Sequence, residues 1–281
     1  MSLLTKIRLA LAAPFVMTVR NFPFKRGRGP LIRYIVIPLL PPPPASFDVT
    51  LPGGAVLSFY YKETLGQGFL LGGGFESAER SFVAGQLRAG DVAFDIGANV
   101  GLFTLLMAQS VGEKGKVYAF EAFHGNIQRL IENINRNSFA NVNVTECALS
   151  DQDGSVNLNM ASDSAYFSLM TPIGGKDVGS SIRVRSLKLD TAWEEMGRPH
   201  VAFIKLDVEG AEALVLQGAQ KCLSVTRPVI LVECFDKKVF EHIDGILRPL
   251  GYTYTQPDGF ALHDWIFSRK AEPVKMSSRL V

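Results

Sequence analysis

From Val92 onward the chain alternates short apolar runs with stretches in which apolar residues recur every three or four positions. The runs VAFDI (92–96), KVYAFE (116–121), VNVTEC (142–147), VAFIKLD (201–207) and PVILVEC (228–234) are too short for helices and predict buried strands. Between and after them, GLFTLLMAQSVG (101–112), NIQRLIENINRN (126–137), AEALVLQGAQKCL (211–223) and KVFEHIDGILRPL (238–250) have helical spacing. This order predicts an α/β, doubly wound fold, a mostly parallel sheet with helices on both faces. GSVNLNM, IRVRSLKLD, GYTYTQ and DWIFSRK predict shorter strands, some of them antiparallel at the edge. No repeat of fixed period occurs.

Before Val92 the pattern differs. FDVTLPGGAVLSFYY (47–61) alternates around Pro-Gly-Gly and predicts a hairpin, GQGFLLGGG (66–74) a loop, and ESAERSFVAGQLR (76–88) a helix. Pro41 to Pro44 stiffen the chain and suggest a first boundary. The expected organisation is a leader over 1–44, a small β element and helix over 45–85, the main domain over 86–270, and a tail over 271–281.

Charge changes the picture of the leader. The net charge is +2, but residues 1–47 hold seven Lys/Arg and no acid, leaving 22 of the 29 basic residues against all 27 acids, a net of −5. Basic residues among apolar ones suit a segment lying on an anionic membrane surface. Packing on the domain or on a second subunit fits the same composition, and no nucleic-acid-binding module accompanies the charge. The longest uncharged apolar stretch, Leu9 to Val19, has 11 residues, short of the roughly 20 needed to span a bilayer. A secretory signal is disfavoured by Lys6 and Arg8 and by the lack of a clear cleavage site. With 47% hydrophobic and 20% charged residues the chain reads as globular. Cys147, Cys222 and Cys234 are widely spaced, which suits a reducing, cytoplasmic setting, with membrane-peripheral contact as its variant. His124, His200, His242 and His263 lack metal-ligand spacing, so no metal is expected.

The candidate chemistry lies at the strand ends. Asp95, Glu121, Asp207 and Glu233 each end a buried-strand candidate, and in an open parallel sheet such ends converge on one crevice. Crowded carboxylates call for a cationic ligand. The turn after the first strand has Gly97 and Gly101 with Asn99 between them. It lacks the middle glycine of G-x-G-x-x-G that admits a pyrophosphate. Glu121 lies 20 residues after Gly101, the position from which an acid bonds a ribose diol. A cationic nucleoside meets both conditions, and S-adenosylmethionine is the common one. A nicotinamide-dependent oxidoreductase on a related sheet is the competing reading, opposed by the missing glycine and by Asp95. A non-catalytic nucleoside-binding protein is the other.

DVAFDIGANVGLFTLLMA, GKVYAFEAFHGNIQRLIENINRN and IKLDVEGAEALVLQGA followed by RPVILVEC, with DWIF near Asp264, resemble in this order the FkbM-type family of S-adenosylmethionine-dependent methyltransferases. The resemblance covers roughly residues 90–235 and implies a Rossmann-like class I methyltransferase sheet. Ala122 stands where the family typically has proline. By this resemblance Asp95, Gly97, Ala98, Asn99 and Gly101 would hold the methionine part of the cofactor, with turn amides facing its carboxylate. Glu121 would hold the ribose, and Ala148 and Leu149 would flank the adenine.

Methyl transfer to a hydroxyl asks the protein mainly to position the acceptor and remove its proton. KLDVEG would present Lys205, Asp207 and Glu209 on one side if the extended conformation persists. Asp207 is the first choice for base or acceptor clamp, with Lys205 as its partner; Glu209 joins them or caps the following helix. His124 is a second candidate base or a solvated loop residue, and Glu233 an orienting group. Two acids without a third partner do not define a Mg²⁺ site. Residues 161–181, polar and glycine-containing, are a candidate lid carrying acceptor specificity. The family resemblance implies a small molecule, sugar or glycolipid precursor as acceptor.

Overall fold

The computed structural model describes residues 2–21, 28–72, 76–161, 167–168 and 178–269. The chain divides into two compact units, Met1–Leu51 with Val56–Ser77, and Pro52–Ala55 with Ala78–Val281. The boundary thus falls near Ser77 rather than after the prolines and again near residue 85. The leader shares a core with the hairpin, and the helix expected with the small element belongs to the larger unit.

In the smaller unit, α1 (Leu3–Asn21) is followed by α2 (Arg28–Leu31), a π-helical turn (Ile32–Val36) and α3 (Ile37–Leu39). Strands β1 (Ser46–Thr50) and β2 (Val56–Tyr60) form the expected antiparallel hairpin, Ser46 pairing with Tyr60 and Thr50 with Val56. Ala12, Val16 and Val19 of α1 pack with Val36, Leu40, Tyr61 and Leu71. Residues 66–72, expected as loop, lie instead in α4 (Thr64–Gly72); residues 73 and 74 lie outside the described ones. Each glycine costs a helix about 1 kcal/mol relative to alanine, but Phe69 and Leu71 are buried there, and burying two such side chains outweighs that cost.

The larger unit opens with α5 (Ser77–Gln86) and is built on seven strands. They are β3 (Val92–Ile96), β4 (Lys116–Glu121), β5 (Val142–Glu146), β10 (Val201–Leu206), β11 (Val229–Glu233), β12 (Thr253–Thr255) and β13 (Asp264–Ser268), in spatial order β12-β13-β11-β10-β3-β4-β5. Strands β3, β4, β5, β10 and β11 are mutually parallel, and β13 runs antiparallel to β11 and β12. The order reverses between β3 and β10, which places the ligand crevice beyond their carboxyl ends. Phe94, Ile96, Phe120, Ile204, Leu206, Ile230 and Val232 point to one face, and pack with α8 (Leu189–Glu195), α9 (Glu212–Gln217), α10 (Gln220–Thr226) and α11 (Lys237–Leu247). On the other face Phe82 of α5 lies 6.2 Å from Phe203, and α6 (Leu102–Val111) sets Phe103 against Lys205. Helix α7 (His124–Arg136) sits beside α6, its Leu130 against Gly101.

Phe94 is fully buried and meets Tyr118 and Phe120 edge-on at 5.6 and 5.7 Å. Phe94→Ala is expected to lower stability by about 3–5 kcal/mol, read as a shift of the urea midpoint at unchanged slope.

Two local expectations are corrected. The helix expected over 211–223 is two helices, because Gly218 passes so close to the backbone that a Cβ there would lie 2.1 Å from the Ser150 carbonyl. The chain then restarts as α10 with Asp190 accepting from the amides of Lys221 and Cys222. The strands expected from GSVNLNM and IRVRSL do not extend the main sheet. As β7 (Gly154–Ala161) and β9 (Val178–Leu187), with β6 (Ala148–Leu149) and β8 (Phe167–Ser168), they form a separate sheet in the order β6-β9-β7-β8. Most of the candidate lid, residues 162–166 and 169–177, and the tail over 271–281 lie outside the described residues.

Candidate active site

Sheet register decides which side chains meet. Asp95 of β3 pairs with Lys205 of β10 on one side and Ala119 of β4 on the other. Lys205 pairs in turn with Leu231, and Glu233, two residues on, pairs with Asp264. With side chains alternating, Asp95, Lys205, Glu233 and Asp264 share one face, and Asp207 follows Lys205 at the crevice end. Lys205 is buried, its Nζ donating to Asp207 Oδ2 at 3.4 Å and lying 5.2 Å from the centre of the Phe103 ring. The Asp207 side chain is 29% exposed, so of this pair the carboxylate faces the opening.

The surrounding acids carry more negative charge than one lysine neutralises. Burial pushes Asp95 up from 3.8 to about 6, against the Thr104 hydroxyl it accepts from and the nearby Lys205, while Asp207 and Glu121 push it further. Glu209 rises to about 8 through burial and then through Asp207 and Glu212. Burial and then Asp207 drive Glu233 well above the carboxylate range. Asp264 is likewise raised, by burial and by Glu79. Asp207 receives a hydrogen bond from Lys205 and lies close enough to Glu233 to perturb it.

The turn after β3 is left-handed at Gly97 (φ 83°), Asn99 (φ 50°) and Gly101 (φ 103°). Glycine at 97 has a second cause, since a Cβ there would lie 1.8 Å from the Asp207 carbonyl oxygen. The Asp207 amide donates to the Ile96 carbonyl at 3.0 Å, so the ends of β3 and β10 are pinned together. The resemblance sets the turn amides against the cofactor's carboxylate, but four of them already have protein acceptors. Gly97 and Ala98 donate to the Phe120 carbonyl, Gly101 to Ala98, and Asn99 to Glu121 Oε2 at 2.8 Å. Glu121 Oε1 also accepts from Ala122 and Phe123, and the Asn126 side chain bonds the same carboxylate. Its roughly four acceptor positions are therefore used, and of the four donors only the Asn126 side chain, unlike the amides, can turn away.

The other candidates separate. Glu209 does not continue the strand's alternation, because β10 ends at Leu206 and Glu209 itself is left-handed (φ 54°). Nor does it cap α9, which has no side-chain N-cap; Glu212, the first residue of that helix, accepts through Oε1 from Val208 and Gly210 of the preceding turn at 3.2 and 2.9 Å. His124 is exposed, with Nδ1 3.1 Å from Glu146 and Nε2 3.1 Å from Gln128. Ala148 and Leu149 are buried in β6, where Leu149 belongs to the core. The three cysteines are free and buried, which holds their thiols well above the usual range. Among the described residues no group of three or more His, Cys, Asp or Glu is placed to hold a metal.

Thr104, Asn126, Glu79 and Asp264 join the site without having been read from the sequence. Thr104 had a weak signal as the polar residue in the run GLFTLLMA. Glu79 and Asp264 are 185 positions apart, and nothing local joins them.

The surplus of carboxylates over cations fits a positively charged ligand, and the missing middle glycine does not fit a diphosphate. A doubly wound sheet with acidic tips at its switch point suits a methyltransferase that uses S-adenosylmethionine. The Methyltransferase FkbM domain matches residues 95–254, more than half of the chain, and the chain belongs to that family. The oxidoreductase alternative is thereby set aside. The 31-O-demethyl-FK506 methyltransferase FkbM of Streptomyces tacrolimicus is 29% identical over 162 residues, 48% of this chain and 62% of that protein. The chain therefore spans less than two thirds of that relative's length. Among solved structures, methyltransferase FkbM from Methylobacillus flagellatus is 16% identical, covering 93% of this chain and 60% of that one with a TM-score of 0.46. An S-adenosylmethionine-dependent O-methyltransferase from Thermotoga maritima is 16% identical over 68% of this chain and 63% of its own, with a TM-score of 0.42.

Proposed function

We propose that this chain transfers a methyl group to a hydroxyl oxygen of a small molecule, sugar or glycolipid precursor. One observation carries the reading: Asp207, partly exposed at the crevice, is fixed by a hydrogen bond from buried Lys205. A carboxylate so placed can accept a proton from an acceptor hydroxyl as the oxygen attacks. When bound, S-adenosylmethionine supplies the methyl group on a sulfonium, already activated for displacement. Asp95 would hold the ammonium of its amino-acid end, Glu121 would orient the ribose, and Lys205 fixes the base. The name of the Streptomyces relative, which speaks of a 31-O position, supports oxygen as the acceptor atom.

Calorimetry with S-adenosylmethionine and its demethylated product tests the reading. Micromolar affinity, about −8 kcal/mol, is expected, weakened at least tenfold (about 1.4 kcal/mol) by Asp95→Asn. Methyl-labelled cofactor incubated with an extract, followed by mass spectrometry of the labelled products, identifies the acceptor. Label on nitrogen or carbon would refute the oxygen assignment. Tight binding without transfer to any acceptor pool would favour a non-catalytic binding protein.

The raised acids also fix a pH dependence. Their protonated forms are favoured in the folded state, so the stability they contribute is complete below about pH 4. It is lost as pH rises through about 6 for Asp95 and about 8 for Glu209. Bound cationic cofactor favours the ionised forms, so affinity is expected to rise over that same interval. Glu209→Gln should flatten the upper part of the decline in thermal melts recorded from about pH 7 to about pH 9, either side of the Glu209 titration. An unchanged profile would remove Glu209 from the linked set.

A further inference from the structure

Helix α1 has two apolar stripes. Ala12, Val16 and Val19 form one and are buried in the core of the smaller unit. Leu4, Ile7, Leu11 and Phe15 recur at the same helical spacing on another face and are exposed, as are Leu3 and Met17. Leu3, Leu4, Leu11 and Met17 are each more than half exposed. The same unit exposes Tyr34 and Ile35 on its π-helical turn. An apolar surface of this extent on one helix marks a contact site rather than ordinary surface scatter.

Charge identifies what covers it. The first 47 residues hold seven Lys/Arg and no Asp or Glu. A second copy of this segment would bring like charges together, whereas an anionic lipid surface attracts them and accepts apolar side chains below its headgroups. Of the described basic residues, Lys6 is exposed on α1 itself, and Arg33 carries its guanidinium 5.8 Å from the Tyr34 ring. No described helix is long and apolar enough to cross a membrane, so the contact is one of lying in the interface. An apolar face and a basic segment together are the two signals that stable interfacial binding requires, each marginal alone.

We infer that α1 docks the protein on anionic membrane surfaces through Leu4, Ile7, Leu11 and Phe15, with the basic leader supplying the attraction. The inference stands apart from the methyl-transfer chemistry and does not depend on it. The test is flotation of the full chain with phosphatidylcholine vesicles, with and without phosphatidylglycerol. Binding is expected only with the anionic lipid and should fall at least tenfold when Leu4→Glu and Leu11→Glu are combined. Lys6→Glu, or raised salt, should weaken it less. Both variants alter exposed positions, so unchanged circular dichroism and cofactor affinity are expected to accompany the loss. No flotation, equal flotation with neutral lipid, or binding insensitive to the double substitution would overturn the inference. So would a lipid-free dimer in sedimentation that the double substitution dissociates, since the face would then belong to a second copy.

Discussion

Asp207→Asn is expected to slow methyl transfer by about 10²–10⁴-fold, the range attributed to a positioned general base, with cofactor affinity changed only a few-fold. The amide keeps the size of the carboxylate but cannot take a proton. It also sets an NH₂ group where the native site has an acceptor for Lys205. The measurement is label transferred from methyl-labelled cofactor to the acceptor-containing extract, beside calorimetry on the same preparation. A rate within tenfold of the parent, at unchanged affinity, would reduce Asp207 to a clamp. Lys205→Met is the companion variant: it leaves the carboxylate in place but removes the donor that fixes it, so transfer should slow less than in Asp207→Asn.

Glu121→Ala has the second large effect, and it is twofold. Removing the carboxylate leaves the amides of Asn99, Ala122 and Phe123 without their acceptor, at about 1–3 kcal/mol for each one that water cannot reach. The turn that Asn99 helps to shape then loosens, and cofactor affinity should fall by more than the tenfold expected for a lost ribose contact. Calorimetry and thermal melts together separate the two contributions. Glu121→Gln, which keeps one carbonyl acceptor, should recover much of the stability but not the affinity. Native affinity in Glu121→Ala would mean that the ribose is held elsewhere.

The sheet was legible because strands buried on both faces have little choice but to be continuous apolar runs, and VAFDI, KVYAFE and PVILVEC are such runs. Gly97 and Gly101 were legible as a turn, and the acids at the strand tips as neighbours, because position in a parallel sheet follows from chain order. What escaped depends on three-dimensional neighbours. The spacing of Lys205, Asp207 and Glu209 presumed a strand that in fact stops at Leu206, and the turn that follows holds Glu209 in a left-handed conformation. Glu79 accepts from the Ala261 amide at 2.6 Å, a partner 182 residues away. The glycines of α4 read as loop because propensity is local while the burial of Phe69 and Leu71 is not.

The ladder between β7 and β9 is independent of the main sheet. It pairs Gly154 with Ser186 at its base and Ala161 with Val178 at its far end, and none of its strands belongs to the seven-stranded sheet. Substitutions along its rungs therefore leave every pairing of the main sheet, and the acids that sheet carries, in place, so the two can be engineered one at a time.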